Sequence, residues 1–181
     1  MPEAGIPATK SLDDAVFDLG MALAKLPSGP LAELRRAEPG DGVASFWRVY
    51  HEQGLEAQHD GSVDWEWVAT ALALLTPTGN DPDKRSAHDA GTPLGQALFK
   101  AGVSELRVAK VLNSPLPQRR EALMRLVRML ARAEARFDTR ELAKLLLFAN
   151  DDPAAPRNPL RRLARTYYAA EAAAEKEVSN A

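Results

Sequence analysis

Four arginines at helical spacing are the residues of this sequence best suited to do chemistry. The set, named here the arginine stripe, is Arg125, Arg128, Arg132 and Arg136, at intervals of three, four and four. On a helix, which turns by about 100° per residue, they share one side, where Glu121 joins them. Like charges at this spacing repel each other by a few tenths of a kcal/mol per pair, so helix stability does not explain the stripe. Two interpretations stay open, a solvated face and a face that binds anions.

The other side of the same stretch is apolar, which predicts an amphipathic helix over residues 118–137. The residues that fall on this side are Leu123, Leu126, Val127, Leu130 and Phe137. Because apolar residues recur there at helical intervals, we expect this side to pack on a core and the arginine stripe to face outwards.

The charge of the chain is divided unevenly along its length, although its net value is only -2. Residues 1–98 carry 7 Lys and Arg against 15 Asp and Glu. Residues 99–168 carry 15 against 7, and residues 169–181 carry 1 against 3. So polarised a chain presents a basic surface to something acidic: nucleic acid, membrane headgroups, a neighbouring protein, or its own acidic half.

Motifs for catalysis, cofactors or metals are missing from the sequence. No phosphate-binding loop, dinucleotide fingerprint, zinc-protease motif or nucleophile elbow is present. The histidines His51, His59 and His88 lack metal-ligand spacing, and Asp64 and Glu66, two apart on a predicted helix, face different ways. We therefore expect no catalytic activity, no cofactor and no metal.

The length and composition are typical of an intracellular protein without membrane segments. The chain has 181 residues, of which 45% are hydrophobic, and it has no cysteine. The absence of cysteine fits a reducing compartment. No apolar run approaches the roughly 18 residues that cross a bilayer, and the N-terminus does not resemble a signal peptide. We expect a soluble, cytoplasmic protein with no membrane partner.

Helical periodicity runs through the whole chain, and no segment shows sustained strand-like alternation. Ser11 caps a first helix, residues 62–76 form a buried helix, Thr92 with Pro93 opens another, and Asp138 or Thr139 caps a later one. The sequence therefore predicts an all-α, two-lobed helical bundle of about eight to nine helices. We expect an acidic lobe at 1–90, a joining loop within Asn80–Thr92, and a basic lobe at 91–181 with a frayed Ala/Glu tail.

Four blocks of the second half, taken in order, carry a family resemblance. They read GTPLGQALFKAGVSELRVAKVLNS, LMRLVRMLA, FDTRELAKLLLFA and RRLARTYY, and the first half adds LAELRRAEPG followed by FWRVY. This set resembles the CasB family, the small subunit of Cascade, the type I-E CRISPR surveillance complex. The resemblance implies a non-catalytic, all-helical protein that pairs as a dimer inside a larger complex built on a guide RNA.

The resemblance also implies that basic residues of this subunit hold the target strand and the displaced strand while the R-loop opens. The residues that match the family blocks are Arg107, Arg125, Arg128, Arg161, Arg162 and Arg165, together with Arg35 and Arg36 in the first half. The helix-face argument adds Arg132, Arg136 and Lys144. The implied partners are guide RNA and target DNA, bound through their backbones, and the other Cascade subunits, including the backbone and large subunits.

A competing hypothesis comes from a different functional class. A helical scaffold or regulatory protein could carry the same basic lobe in order to dock on an acidic protein surface, its own N-terminal lobe included. Steeply salt-dependent nucleic-acid binding without sequence preference would favour the first hypothesis over this one.

Overall fold

The structure is a bundle of α-helices, as the sequence predicts. The computed structural model describes residues 10–77, 86–149 and 158–180. Within these ranges the helices are α1 (Leu12–Lys25), α2 (Ser28–Arg36), α3 (Ala44–Glu52), α4 (Ser62–Leu75), α5 (Leu94–Lys100), α6 (Glu105–Asn113), α7 (Leu116–Arg132), α8 (Thr139–Leu147) and α9 (Pro159–Ser179). A short 3-10 helix, Leu55–Ala57, follows α3. The all-α prediction is confirmed, and the nine α-helices of the described residues agree with the predicted number.

Helix α4 lies at the centre of the bundle, where α1, α2, α7 and α8 pack around it. Nine of its fourteen residues are buried, including Trp65, Val68 and Leu72. A helix that is apolar on nearly all sides must be covered on nearly all sides. One apolar cluster therefore runs from Leu19 of α1 through α4 to Leu126 of α7, and it joins residues of both halves of the chain.

The predicted helix starts are confirmed at two positions and differ at a third. The Ser11 side chain accepts a hydrogen bond from the Asp14 amide at 3.2 Å, and the Asp138 side chain accepts one from the Arg140 amide at 3.1 Å. Helix α5 starts differently, because its N-cap is Pro93, which has no side-chain acceptor. Glu141 of α8 replaces the missing cap: its Oε2 accepts a hydrogen bond from the Leu94 amide at 3.0 Å.

Helix α7 ends earlier than the sequence predicts, at Arg132 instead of Phe137. Glu134 adopts a left-handed conformation, with φ 48°. The amide of Ala135 donates to the carbonyl of Leu130 and the amide of Glu134 donates to the carbonyl of Ala131, at 3.0 and 3.1 Å. This pair of bonds is the Schellman motif, which terminates helices and usually has glycine where Glu134 stands.

Helix α9 continues to Ser179 instead of fraying after its RRLARTYY block. The residues that extend it, 169–179, are mainly alanine and glutamate. Both residue types are strong helix formers, so this segment propagates a helix that Leu160, Leu163 and Tyr167 have anchored to the core.

The predicted joining loop lies partly outside the described residues, since residues 78–85 are not among them. Its second part, from Ser86 onwards, contacts the segment before α8. The Phe137 amide donates to Ala87 at 3.1 Å, the Asp89 amide donates to Phe137 at 2.8 Å, and the Asp138 amide donates to Thr92 at 2.8 Å. The division into lobes at residue 90 stays a prediction. Across the described ranges, no helix is long and apolar enough to cross a membrane.

Helices α5 and α9 approach each other closely at Gly95. A Cβ atom on Gly95 would lie 2.3 Å from Thr166 Oγ1, 2.5 Å from the Leu163 carbonyl oxygen and 2.5 Å from the Tyr167 amide nitrogen. Two of these three atoms belong to the backbone and cannot rotate away. The absence of a side chain at Gly95 therefore sets the distance between α5 and α9.

Replacing Gly95 with alanine should push α5 away from α9 and destabilise the protein by about 1–3 kcal/mol, the usual cost of overpacking. Gly29 in α2 provides the matched control, because a Cβ there meets nothing within 4 Å. Gly29→Ala should be neutral or slightly stabilising, since it reduces the entropy of the unfolded chain. Urea unfolding measures both, and equal stabilities for the two variants would contradict the close contact.

His88 links the segment after the loop to the start of α8. Its Nδ1 lies 2.9 Å from Thr139 Oγ1, its ring packs edge-on against Phe17, and Asp138 Oδ1 is 3.9 Å away. Burial lowers the pKa of His88 below its usual value, and the nearby Asp138 only partly opposes this effect. The folded state therefore favours the neutral ring.

The free energy of unfolding should fall as the pH drops below about 7. The sign follows from the lowered pKa of His88: below the unfolded value of about 6.5 the unfolded chain binds a proton that the folded protein takes up only at lower pH. The loss should level off below the folded pKa. His88→Asn should flatten this part of the stability profile in urea unfolding at each pH, and an unchanged slope would contradict the assignment.

Candidate nucleic-acid interface

Helix α7 presents three arginines of the stripe to solvent, as predicted. Arg125, Arg128 and Arg132 are exposed, whereas Leu123, Leu126, Val127 and Leu130 are buried on the opposite side. Helical periodicity thus separates a cationic face from a face that packs on α4, α6 and α8.

A groove between α6 and α7 collects four cations, and we name it the basic groove. It has a volume of about 480 Å³. Arg107 and Lys110 of α6 line one side, and Arg125 and Arg132 of α7 line the other. Its floor is apolar and consists of Ala122, Leu126 and Met129. No acidic residue lines the groove within the described part of the chain, so the charges that line it are all positive.

The cations of the basic groove have few partners inside the protein. Arg107 donates from Nη1 to Met129 Sδ at 3.0 Å, and Arg125 forms a loose, exposed pair with Glu121 at 3.7 Å. Within the described ranges, Lys110 and Arg132 form no ion pair. An exposed pair of this kind contributes at most about 1 kcal/mol, so a stronger anion can displace it.

Arg128 borders a second depression on the opposite flank of α7, named here the tryptophan depression. It has a volume of about 390 Å³ and lies between α7, α4 and the turn after α2. Trp67, Glu38 and Glu121 line it together with Arg125 and Arg128. Arg125 therefore borders both the basic groove and the tryptophan depression.

Arg136 is separated from the other three arginines of the stripe, so its predicted place on the helix is wrong. The Schellman motif ends α7 at Arg132, and Arg136 lies in the segment that leads to Phe137. Its Nη2 donates to the His88 carbonyl at 3.1 Å. It remains exposed, but it lines a different surface, with Lys100 and Thr92.

The three arginines of α9 differ in their surroundings. Arg161 and Arg165 are exposed, and within the described ranges neither forms an ion pair. Arg162 is about half exposed, and its Nε donates to Glu141 Oε1. This bond joins α9 to α8. The same Glu141 carboxylate also caps α5, so it links three helices.

Of the remaining candidate site residues, Arg35 and Lys144 bond to other helices of the protein, whereas Arg36 faces solvent. Arg35 of α2 donates from Nε to the Ala73 carbonyl at 2.8 Å and from Nη2 to the Thr76 carbonyl, so its guanidinium caps the end of α4. Lys144 of α8 forms an ion pair with Asp13 of α1 at 2.7 Å. Arg36 is exposed, and its Nε donates to the Ala32 carbonyl within the same helix. Burial lowers the pKa of Arg35 below its usual value.

Lys110 lines the basic groove but was not among the residues predicted from the sequence. Lys110 is three residues after Arg107, so both fall on one side of α6. That spacing is visible in the sequence. Their position opposite Arg125 and Arg132 depends on how α6 packs on α7, which periodicity within one helix does not report.

The acidic and histidine residues considered for catalysis have structural partners. Asp64 binds His59 at 2.9 Å and Arg120 at 2.5 Å, whereas Glu66 accepts bonds from the Gly40 and Gly42 amides at 2.8 and 3.1 Å. The two carboxylates face different ways, as predicted. No group of three metal-binding side chains occurs within the described ranges.

Comparisons with known proteins bear on the family and the fold of the chain. The family model for CRISPR-associated protein Cse2 matches residues 30–168 of the chain. No curated protein matches it. Among solved structures, the chain is similar to one in the crystal structure of E. coli Cascade bound to a PAM-containing dsDNA target, with a TM-score of 0.61 and 19% identity. This similarity covers 85% of the present chain and 94% of the E. coli chain, and at this identity it shows the fold.

The neighbours Arg35 and Arg36 should respond differently to replacement by alanine. Arg35→Ala removes two bonds from a charged donor to helix-end carbonyls and should cost about 1–3 kcal/mol of stability. Arg36→Ala should change stability by less than about 0.5 kcal/mol, because its side chain is exposed. Chemical unfolding of both variants checks this, and equal effects would contradict the capping role of Arg35.

Proposed function

Because this chain belongs to the Cse2 (CasB) family, the small subunit of the type I-E CRISPR surveillance complex, we propose that it binds nucleic-acid backbones without sequence specificity. In the complex it stabilises the target and displaced strands of the R-loop and performs no catalysis. The observation that carries this proposal is the basic groove, which four cations from two helices line and which, among the described residues, no acidic side chain lines. A phosphate backbone is the ligand whose charge and regular spacing best fit it.

Contacts of this kind suit a subunit that works with any guide. Arginine and lysine bind phosphates through charge and hydrogen bonds that are the same for every base. R-loop formation exchanges a DNA duplex for an RNA–DNA duplex of similar stability, so a few backbone contacts from protein shift the balance. The basic groove, together with Arg128, Arg161 and Arg165, supplies such contacts.

The proposed partners follow from the family. They are the guide RNA and the target DNA, the backbone and large subunits of Cascade, and a second copy of this chain in a dimer, all in the cytoplasm. The similarity to a chain of E. coli Cascade bound to double-stranded DNA supports this assembly.

Docking on an acidic protein surface is the competing function, and the ion pairs of the structure bear on one form of it. Lys144 with Asp13 and Arg120 with Asp64 are pairs between the basic and acidic halves of the chain. Neither pair involves a residue of the basic groove. Within the described ranges, the acidic half therefore does not neutralise the basic groove. The cations of the groove stay available to a separate ligand.

Reversing the charge of Arg125, Arg128 and Arg132 to glutamate should abolish most nucleic-acid binding and leave the fold intact. Each surface change should cost within about 0.5 kcal/mol. For the wild type, log affinity should fall linearly with log salt, and loss of three phosphate contacts should reduce that slope by roughly 2 to 3. Affinity for DNA of unrelated sequence, thermal unfolding, and R-loop formation by the assembled complex are the measurements.

A matched control carries the same charge change elsewhere on the surface. Lys25, Arg48 and Lys176 are exposed and lie outside the basic groove. Their triple change to glutamate should lower affinity far less. Equal losses in both triple variants would mean that net charge alone governs binding, and normal R-loops with the stripe variant would favour the competing function.

A further inference from the structure

The tryptophan depression differs from the basic groove in chemistry, although Arg125 borders both. The basic groove is lined by cations and an apolar floor. The tryptophan depression combines the indole of Trp67 with the carboxylates of Glu38 and Glu121. Two neighbouring surfaces that share one arginine but differ so clearly are suited to different parts of one ligand.

From this juxtaposition we propose that a single nucleic-acid strand crosses α7 at Arg125, with its phosphates on Arg125 and Arg128 and one unpaired base stacked on Trp67. This inference rests on the proposed function and deepens it, because it assigns a single strand to this side of α7. The strand continues from the tryptophan depression into the basic groove.

The charges of the depression determine which part of a nucleotide enters it. A phosphate placed between Glu38 and Glu121 would be repelled by both carboxylates. A base is neutral, and every base has at least one N–H group, on the ring or exocyclic, that can donate a hydrogen bond to a carboxylate. The phosphates of the same nucleotides then fall at the margin, where Arg125 and Arg128 lie one helical turn apart on the exposed side of α7.

Trp67 packs against the core and also lines the depression, where a base can stack on it. Trp65, two residues earlier on α4, is fully buried, whereas Trp67 is partly exposed and lines the depression. The guanidinium of Arg120 lies over the Trp67 ring, 5.9 Å from its centroid, and Arg120 is itself held by Asp64 and the Leu146 carbonyl. The indole is therefore fixed in position before a ligand arrives, and an aromatic ring accepts any base.

The size of the depression fits this occupant. Its volume of about 390 Å³ lies within the range of small-molecule sites and suits one nucleotide, but it has no room for a base pair still stacked in a duplex. A duplex would first have to unpair and extrude a base, which costs free energy. The depression therefore favours a single strand over a duplex.

Fluorescence of Trp67 in the full-length chain tests this inference without altering the site. Trp47 is exposed on α3, so Trp47→Phe removes its signal, and the remaining Trp65 is buried. Oligothymidylate should quench the emission of this variant as it binds, and a duplex of equal length should not. Trp47→Phe combined with Trp67→Phe is the matched control, in which the quenching should disappear.

Affinity provides a second measurement. Trp67→Leu should weaken binding of oligothymidylate by about tenfold and leave duplex binding unchanged, since stacking contributes to the first alone. The circular dichroism and thermal unfolding of Trp67→Leu establish whether it folds. If Trp67→Leu does not fold, the fluorescence comparison between Trp47→Phe and its combination with Trp67→Phe still tests whether a base stacks on Trp67.

The outcomes separate this inference from the proposed function. Binding of both probes with no quenching at Trp67, or equal quenching by single strand and duplex, overturns the stacked base and leaves backbone binding in place. Failure of both labelled probes to bind at low salt, measured by anisotropy, contradicts the proposed function and removes the basis of this inference as well.

Discussion

Carbonyl groups at the ends of two buried helices need donors, and three arginines supply them. Helices α4 and α8 end at the buried residues Thr76 and Phe148, where their last carbonyls are at least partly shielded from water. Arg35 donates to Ala73 and Thr76 at the end of α4. Arg119 and Arg120 donate to Phe148 and Leu146 at the end of α8, at 3.0 and 2.8 Å. A guanidinium suits this position because it has several donors, and its charge complements the negative end of the helix dipole.

This constraint divides the arginines of α7 into two groups with different roles. Arg119 and Arg120, near its first turn, point inwards and fasten α7 to α8, and Arg120 also binds Asp64 of α4. Arg119 is 1% exposed, and burial lowers its pKa. The later arginines point outwards with almost no internal partner. The same residue type therefore anchors the helix at one end and presents cations along the rest, and the anchoring fixes where those cations lie.

Helical periodicity predicted correctly which arginines of α7 face outwards, because the face on which a residue lies depends on that helix alone. It did not predict the surroundings of arginines that contact a neighbouring helix. Arg119 lies four residues before Leu123 and so on the apolar side, but its charge concealed the signal. The choice between Arg35 and Arg36 depends on where α4 ends in space. Arg136 left the predicted helix because Glu134, a residue that rarely adopts positive φ, takes the left-handed position. The resemblance to the family, in contrast, was confirmed, because the family model matches residues 30–168. It rested on four sequence blocks taken together and so did not depend on the contacts of any one residue.

A binder of arbitrary sequences has one regular feature to recognise, the repeat of phosphates along the backbone. Regular spacing in a ligand is matched best by regular spacing in a protein, and an anchored helix supplies it with cations three, four and seven residues apart. Repulsion within the stripe raises the free energy of the unbound protein by a modest amount, and a bound phosphate relieves it. Under the proposed function, the unfavourable spacing of Arg125, Arg128 and Arg132 strengthens binding to any strand. The proposed stacking on Trp67 would add a preference for unpaired bases without adding a preference for sequence.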